Sequence, residues 1–420
     1  MYQYTEFDTQ FVKLRAAQYR DQLERWQGGT LAEDEFRPLR LQNGWYVQRF
    51  APMLRVAVPY GELNSAQLRV LATIARDYDQ KDAHDLSKAN PGLSDLTSLP
   101  SHCAHFTTRQ NVQYNWIPLD KSADVMDLLA SVHLHGIQTS GNCIRNTTSD
   151  ERAGIAADEV ADPRPLAEII RQWSTLHPEF AFLPRKFKIA IVGATDDRAA
   201  TAWHDVGLHV LKNEAGEVGL RVMVGGGMGR TPVIGSVIRD FLPWDQILNY
   251  LEAVVRVYNR WGRRDNIYKA RIKILVKAEG QRYIDEVEAE YQQILTVDGG
   301  PHTIAQAELD RVSASFVPPT SRVGALPALA NPGCSKTWPR TATRCCAPSR
   351  CRSNAWVIHL ATPPARSWMP PPPWPTNTAP VKPVSPTTRT WCCPGCAPTS
   401  CLPCMPKPRP WAWPAPTSAC

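Results

Sequence analysis

Two periodicities divide the first three hundred residues. Phe11, Leu14, Leu23 and Trp26 fall at helical spacing and Gly28-Gly29 follows them, so residues 7–27 are expected to form a helix that acts as an arm or cap. From Tyr46 to Val58 the period drops to two, which predicts a strand with Leu54, Val56 and Val58 on one face and Met53, Arg55 and Ala57 on the other. Asn64 or Ser65 is placed to cap a helix through Leu68, Leu71 and Ile74. His105 to Trp116 reads as a second strand, with two faces of opposite character. Phe106, Val112, Tyr114 and Trp116 lie on one side; His105, Thr107, Arg109, Asn111, Gln113 and Asn115 lie on the other.

Val125, Met126, Leu129 and Val132 return to helical spacing, completing an order of strand, helix, strand, helix. That order is half of a ferredoxin-like α+β unit. Between its strands, residues 80–104 carry Asp, Ser and Pro without a period and are expected to be a surface insertion. Phe187 to Val192 and Gly219 to Val224 read as strands. Ile247 to Tyr258 reads as an amphipathic helix burying Leu248, Leu251, Val254, Val255 and Tyr258.

Composition then breaks the chain in two. All 40 acidic residues lie at or before Asp310, whereas residues 311–420 contain most of the prolines and all but two of the cysteines. The net charge of +7 therefore belongs to the tail, and the body is mildly acidic, which excludes a nucleic-acid-binding body. The N-terminus has neither the basic start nor the apolar run of a secretory signal, and no apolar stretch reaches membrane-spanning length, so a cytoplasmic protein is expected. Only Cys103 and Cys143 fall in the body, consistent with a reducing compartment.

The chemistry is carried by cations. Lys186 and Lys188 share one face of an expected strand about 7 Å apart, where two ammonium groups repel unless an anion lies between them. The alternative is a solvated edge strand with outward lysines. Arg145, in Cys143-Ile144-Arg145-Asn146, adds a cation to a polar stretch, and Arg55 adds one to an otherwise uncharged strand; singly, each is an ordinary surface arginine. Gly225-Gly226-Gly227, followed by Arg230, would let backbone amides approach a large anion, but the run lacks the spacing of either standard nucleotide loop.

Together these stretches resemble the sirohaem-dependent nitrite and sulfite reductase family over roughly residues 40–300. The resemblance is carried by Met53-Leu54-Arg55, by His105 through Gln113, by Asn142 to Asn146, by Leu183 to Lys188 and by the Gly225-Gly226-Gly227 turn. It implies an α+β fold, a ferredoxin-like half-domain followed by a sirohaem-binding half-domain. Residues 1–41 would form the arm, 42–122 and 123–300 the two half-domains, 301–330 a linker and 331–420 a disordered tail. It also implies that Arg55, Arg145, Lys186 and Lys188 hold the anionic substrate, while Thr107, Thr108, Arg109, Gln113, Arg185, Gly225, Gly226, Gly227 and Arg230 hold the macrocycle and its carboxylates. Cationic donors around a bound oxyanion would both attract it and protonate it as oxygen leaves as water.

The implied function is that of an oxidoreductase reducing sulfite to sulfide, with nitrite to ammonia as the alternative. Lys188 favours sulfite, because nitrite-selective members of the family tend to have Asn there. The electron donor would be a flavoprotein subunit or ferredoxin. The family's second half also binds a 4Fe-4S cluster through two cysteine pairs, which residues 1–330 do not contain. Cys393, Cys396, Cys401 and Cys404 form two C-x-x-C units, a zinc or cluster pattern. The surrounding segment has few aliphatic residues and no acids, so it reads instead as a frame-disrupted tail, leaving a truncated chain that does not turn over alone. A non-catalytic anion- or tetrapyrrole-binding protein and a zinc-tail adaptor are the readings from other classes.

Overall fold

A computed structural model describes residues 1–48, 51–79, 103–317 and 357–359. Its elements build two apolar cores. The first lies under an antiparallel sheet of order β1-β2-β4-β3-β9, with β1 Trp45–Val47, β2 Pro52–Val56, β3 Cys103–Phe106, β4 Val112–Tyr114 and β9 Val357–His359. Helices α1 (Glu6–Gln27), α2 (Glu33–Gln42), α3 (Ser65–Asp77) and α4 (Ser122–Ala130) cover it. Tyr19, Phe36, Trp45, Leu54, Ile74 and Tyr114 are fully enclosed there.

The N-terminal helix is thus a core element rather than a free arm. Its buried stripe is Val12, Ala16, Tyr19 and Leu23, and Leu14 is 57 % exposed. The buried Tyr19 hydroxyl meets the Ser122 hydroxyl at 2.9 Å. Asn64 caps α3 as expected, accepting from the Gln67 amide at 2.8 Å while Gln67 accepts from the Asn64 amide at 2.9 Å.

Both long strands read from the sequence are hairpins. The first breaks where the Gln48 amide donates to the Ala51 carbonyl at 2.9 Å, and Tyr46 then pairs with Met53. The second breaks at Thr107-Thr108-Arg109-Gln110. The Thr107 hydroxyl accepts from the amides of Arg109 and Asn111, and Gln110 adopts a left-handed φ of 57°. His105 therefore faces Gln113 across the hairpin, not along one strand.

The second core lies under a mixed sheet of order β5-β6-β7-β8, formed by Ile189–Val192, Val206–Lys212, Val218–Val224 and Ser236–Pro243. β5 and β6 are parallel and the other pairs antiparallel. Helices α5 (Arg164–Ser174), α6 (Ile247–Trp261), α7 (Ile272–Glu279), α8 (Gln281–Thr296) and α9 (Gln306–Ala314) complete it. Ile170, Phe187, Ile191, Leu208, Leu251, Tyr258 and Tyr283 fill its centre. The α+β fold expected from the sequence is the one observed.

Three segments differ from their sequence readings. The expected linker contains α9, whose Val312 is buried, and its end pairs with the chain start through a Tyr2–Phe316 bridge. Of the expected insertion, Cys103 and Ala104 belong to β3, and residues 80–102 lie outside the described residues. Within the tail, β9 pairs with the otherwise open edge of β3, Cys103 opposite His359; the paired cysteines of the tail lie outside the described residues.

Candidate oxyanion site

The geometry of the site follows from a pleat. Residues 143–148 run parallel to residues 187–191, joined by bridges of Ile144 to Phe187 and Thr148 to Ala190. The Phe187 amide donates to the Cys143 carbonyl at 3.0 Å, and the Arg145 amide donates to the Phe187 carbonyl at 2.8 Å. Ile144 and Phe187 enter the second core, so their neighbours Arg145, Lys186 and Lys188 turn to the opposite side. The lysines precede β5 rather than lying within it.

Across from them stands β2 of the first core. Its buried face takes Leu54 and Val56, which leaves Met53 and Arg55 facing a cavity of about 600 Å³ between the two cores. Arg55, Arg145, Arg185 and Lys186 all line it, together with Tyr46, Cys143 and Phe180. Arg55 is aimed by Gln113, whose side-chain oxygen accepts from Nε at 3.2 Å and Nη2 at 2.7 Å. Arg145 is aimed by the carbonyls of Thr139 and Gly141.

Lys188 continues the cation track away from the cavity. Arg109, at the tip of the β3–β4 hairpin, and Arg271, at the start of α7, both act on it electrostatically. Arg109 reaches into the second core's territory, donating to the Thr148 hydroxyl at 2.7 Å and to the carbonyls of Asn146 and Ile189. It clasps the two cores together. Among the described residues, none of Arg55, Arg109, Arg145, Arg185, Lys186 and Lys188 forms an ion pair with a carboxylate.

That crowding is expensive for the free protein and depresses the pKa values of the cations. Burial, then the charges of Arg145 and Arg185, bring Lys186 down to about 8. Burial, then Arg271, bring Lys188 down to about 7. Burial lowers Arg145 to about 10 and Arg109 to about 9, and depresses Arg55 as well. The Nε atoms of Arg145 and Arg109 are buried without a hydrogen-bond partner among the described residues. Unbalanced, part-buried cations of this kind are stabilised by an anionic guest.

The glycine turn behaves differently from the cations. A Cβ on Gly226 would lie 2.3 Å from the Ala202 carbonyl oxygen and 2.6 Å from that of His204. Gly225, with φ of 86°, packs against Val276, and Lys273 donates to the carbonyls of Gly227, Met228 and Thr231. These glycines let the protein's own backbone segments close on one another. Thr107 is spent on its turn, and Thr108 and Arg230 are exposed; neither they nor the glycines line the cavity. Sequence reasoning missed Asp205 and Arg271, which are joined at 2.7 Å. Arg271 carried a signal, since an arginine at a helix N-cap opposes the helix dipole.

An α+β scaffold thus brings several cations, none with a carboxylate partner among the described residues, to the seam of two cores, an arrangement suited to an anionic guest. Residues 140–295 match the family described as the nitrite and sulphite reductase 4Fe-4S domain. A sulfite reductase (ferredoxin) of Mycobacterium tuberculosis is 30% identical over 62% of this chain and 43% of its own length. Sulfite reductase (ferredoxin) 1 of Mycolicibacterium paratuberculosis is 32% identical over 53% and 40%. The chloroplastic ferredoxin–nitrite reductase of Arabidopsis thaliana is 29% identical over 54% and 36%. The solved structure of the Mycobacterium tuberculosis NirA protein superposes with a TM-score of 0.55 at 26% identity, over 65% of this chain and 50% of that one. Residues 140–295 thus carry a match to the nitrite and sulfite reductase family, and the chain spans less than half the length of these curated relatives.

Proposed function

We propose that this chain is the oxyanion-holding half of a sulfite reductase. The observation that carries the reading is the set of unpaired cations, Arg55, Arg145, Arg185 and Lys186, around one cavity, with Lys188 on the same face of the pleat. Sulfite presents up to two negative charges against one for nitrite, so a site this rich in cations favours sulfite. Arg55 and Arg145, fixed by Gln113 and by backbone carbonyls, orient the anion. Lys186 and Lys188, whose values of about 8 and 7 lie near neutral pH, are matched to giving protons to a departing oxygen.

The donor set also fits the carboxylates of sirohaem. Arg185, Arg109 and Arg271 extend the charge beyond what one small oxyanion needs, and buried Nε–H groups on Arg109 and Arg145 await acceptors. When bound, that group supplies an iron centre at which a sulfur or nitrogen oxyanion accepts electrons. The remaining candidates, Thr107, Thr108, the glycine turn and Arg230, lie outside the cavity lining.

A four-iron cluster needs four thiolates, and residues 1–330 contain Cys103 and Cys143 alone. We therefore assign the chain anion binding without turnover, the complete reductase taking electrons from ferredoxin or a flavoprotein subunit. The test is calorimetry of the full chain with sulfite, nitrite and chloride, alongside iron and acid-labile sulfide assays. Sulfite binding that weakens in salt and in Lys186→Met, with no labile sulfide, is the expected result. Absence of sulfite binding, or sulfite consumption driven by reduced methyl viologen, overturns it.

A further inference from the structure

Asp205 has no place in the reading above, although it is fully enclosed, 0 % exposed, among cations. One carboxylate oxygen accepts the backbone amide of Lys188 at 2.9 Å. The other accepts Arg271 Nη2 at 2.7 Å and Nε at 3.2 Å. Its own carbonyl accepts the Gly225 amide at 3.0 Å. Three separate parts of the chain are thus tied to one residue: the lysine segment, the first glycine of the turn and the start of α7.

We propose that Asp205 is a positioning residue of the oxyanion site, which holds Lys188, Arg271 and the glycine turn in a single arrangement and offsets the charge of Arg271 beside Lys188. This inference rests on the proposed oxyanion-binding role. The groups facing Lys188 are Lys186 on its own segment, Arg109 from the β3–β4 hairpin, His204 and Asp205 from the segment entering β6, and Arg271 from α7. Asp205 alone among them is acidic. It favours the charged ammonium, and Arg271 opposes it. Arg271 held by Asp205 also stands 3.0 Å from where a Gly227 Cβ would be, so a larger residue there would have to displace the Arg271 side chain.

The pair makes predictions of opposite sign. In Asp205→Asn the ammonium of Lys188 loses its favourable charge, so its titration midpoint falls by on the order of one pH unit. In Arg271→Gln the opposing charge is removed, and the midpoint rises by a similar amount. A merely structural role predicts otherwise. A loosened, hydrated site moves Lys188 upward in both variants, because burial is the largest cause of its depression.

The experiment follows the lysine side-chain resonances of the full, isotopically labelled chain from pH 5 to 10 in chloride buffer, with Lys188 assigned through Lys188→Arg. Opposite shifts support the inference; shifts of the same sign, or none, overturn it. Should Asp205→Asn not fold, Arg271→Lys decides the matter alongside Arg271→Gln. It keeps the charge and loses the fork, so the inference expects a midpoint within a few tenths of wild type, and a loosening effect expects a rise in both. Sulfite calorimetry on the same samples separates the two readings. Opposite shifts without sulfite binding sink the proposed function alone, and sulfite binding without opposite shifts sinks this inference alone.

Discussion

Replacing Lys188 with methionine should make the ligand-free chain more stable. Lys188 sits at about 7 against an ordinary 10.5. Its folded value lies below its unfolded one, so between these limits the unfolded chain binds more protons, and stability rises with pH across that window. At pH 7 nearly the whole penalty is therefore present. The side chain is only part-buried, and screening by solvent in the open track reduces the penalty to on the order of 2 kcal/mol. Methionine keeps the length of the stem and removes the charge. For a folded body of this size the gain corresponds to about 3 °C in melting temperature, measured by scanning calorimetry in dilute chloride at pH 7. The gain should shrink as the pH is raised to 10, and sulfite should stabilise the wild type more than the variant. A variant that melts below wild type at pH 7, or a wild-type melting point that does not rise between pH 7 and 9, would refute the reasoning.

Sulfite affinity should decline as pH rises through about 7 to 8, as Lys188 and then Lys186 lose their protons, and calorimetry across pH 6–9 reads this directly. Gly226→Ala forces a methyl group to within 2.3 Å of the Ala202 carbonyl oxygen, so the glycine turn must part from that segment, at about 3 kcal/mol or more in urea unfolding. Phe187→Ala empties a fully enclosed site beside Tyr258 and should cost about 3–5 kcal/mol. Unlike Leu208→Ala, which cuts the same core from β6, it should also weaken sulfite binding at temperatures where both variants remain folded.

The cations were legible in the sequence because charge in a polar or alternating stretch is conspicuous, and Lys186 with Lys188 obeys the two-residue period even outside a regular strand. The hairpins were not. Period two continued in register through the Thr107–Gln110 turn, so His105 and Gln113 looked like residues of one strand when they oppose each other across two. Nothing local distinguishes an arginine that clasps two cores from one that meets a ligand, and Arg109 does the former through groups distant in the chain. Asp205 was hidden for the same reason. A lone acid before an apolar strand has meaning only once Lys188, Gly225 and Arg271 are brought around it. The glycine turn was read as an opening for a ligand, whereas its tightness comes from protein packing on both sides.

The back-to-back placement of Ile144 and Phe187 against Arg145, Lys186 and Lys188 limits how such a site can diversify. Side chains can be exchanged one at a time, retuning which anion is preferred. Adding or deleting a single residue in either segment cannot achieve this, because half a pleat would send a lysine into oil and a phenylalanine into water. Natural variation in this protein should accordingly be rich in substitutions along these two rungs and nearly devoid of length changes.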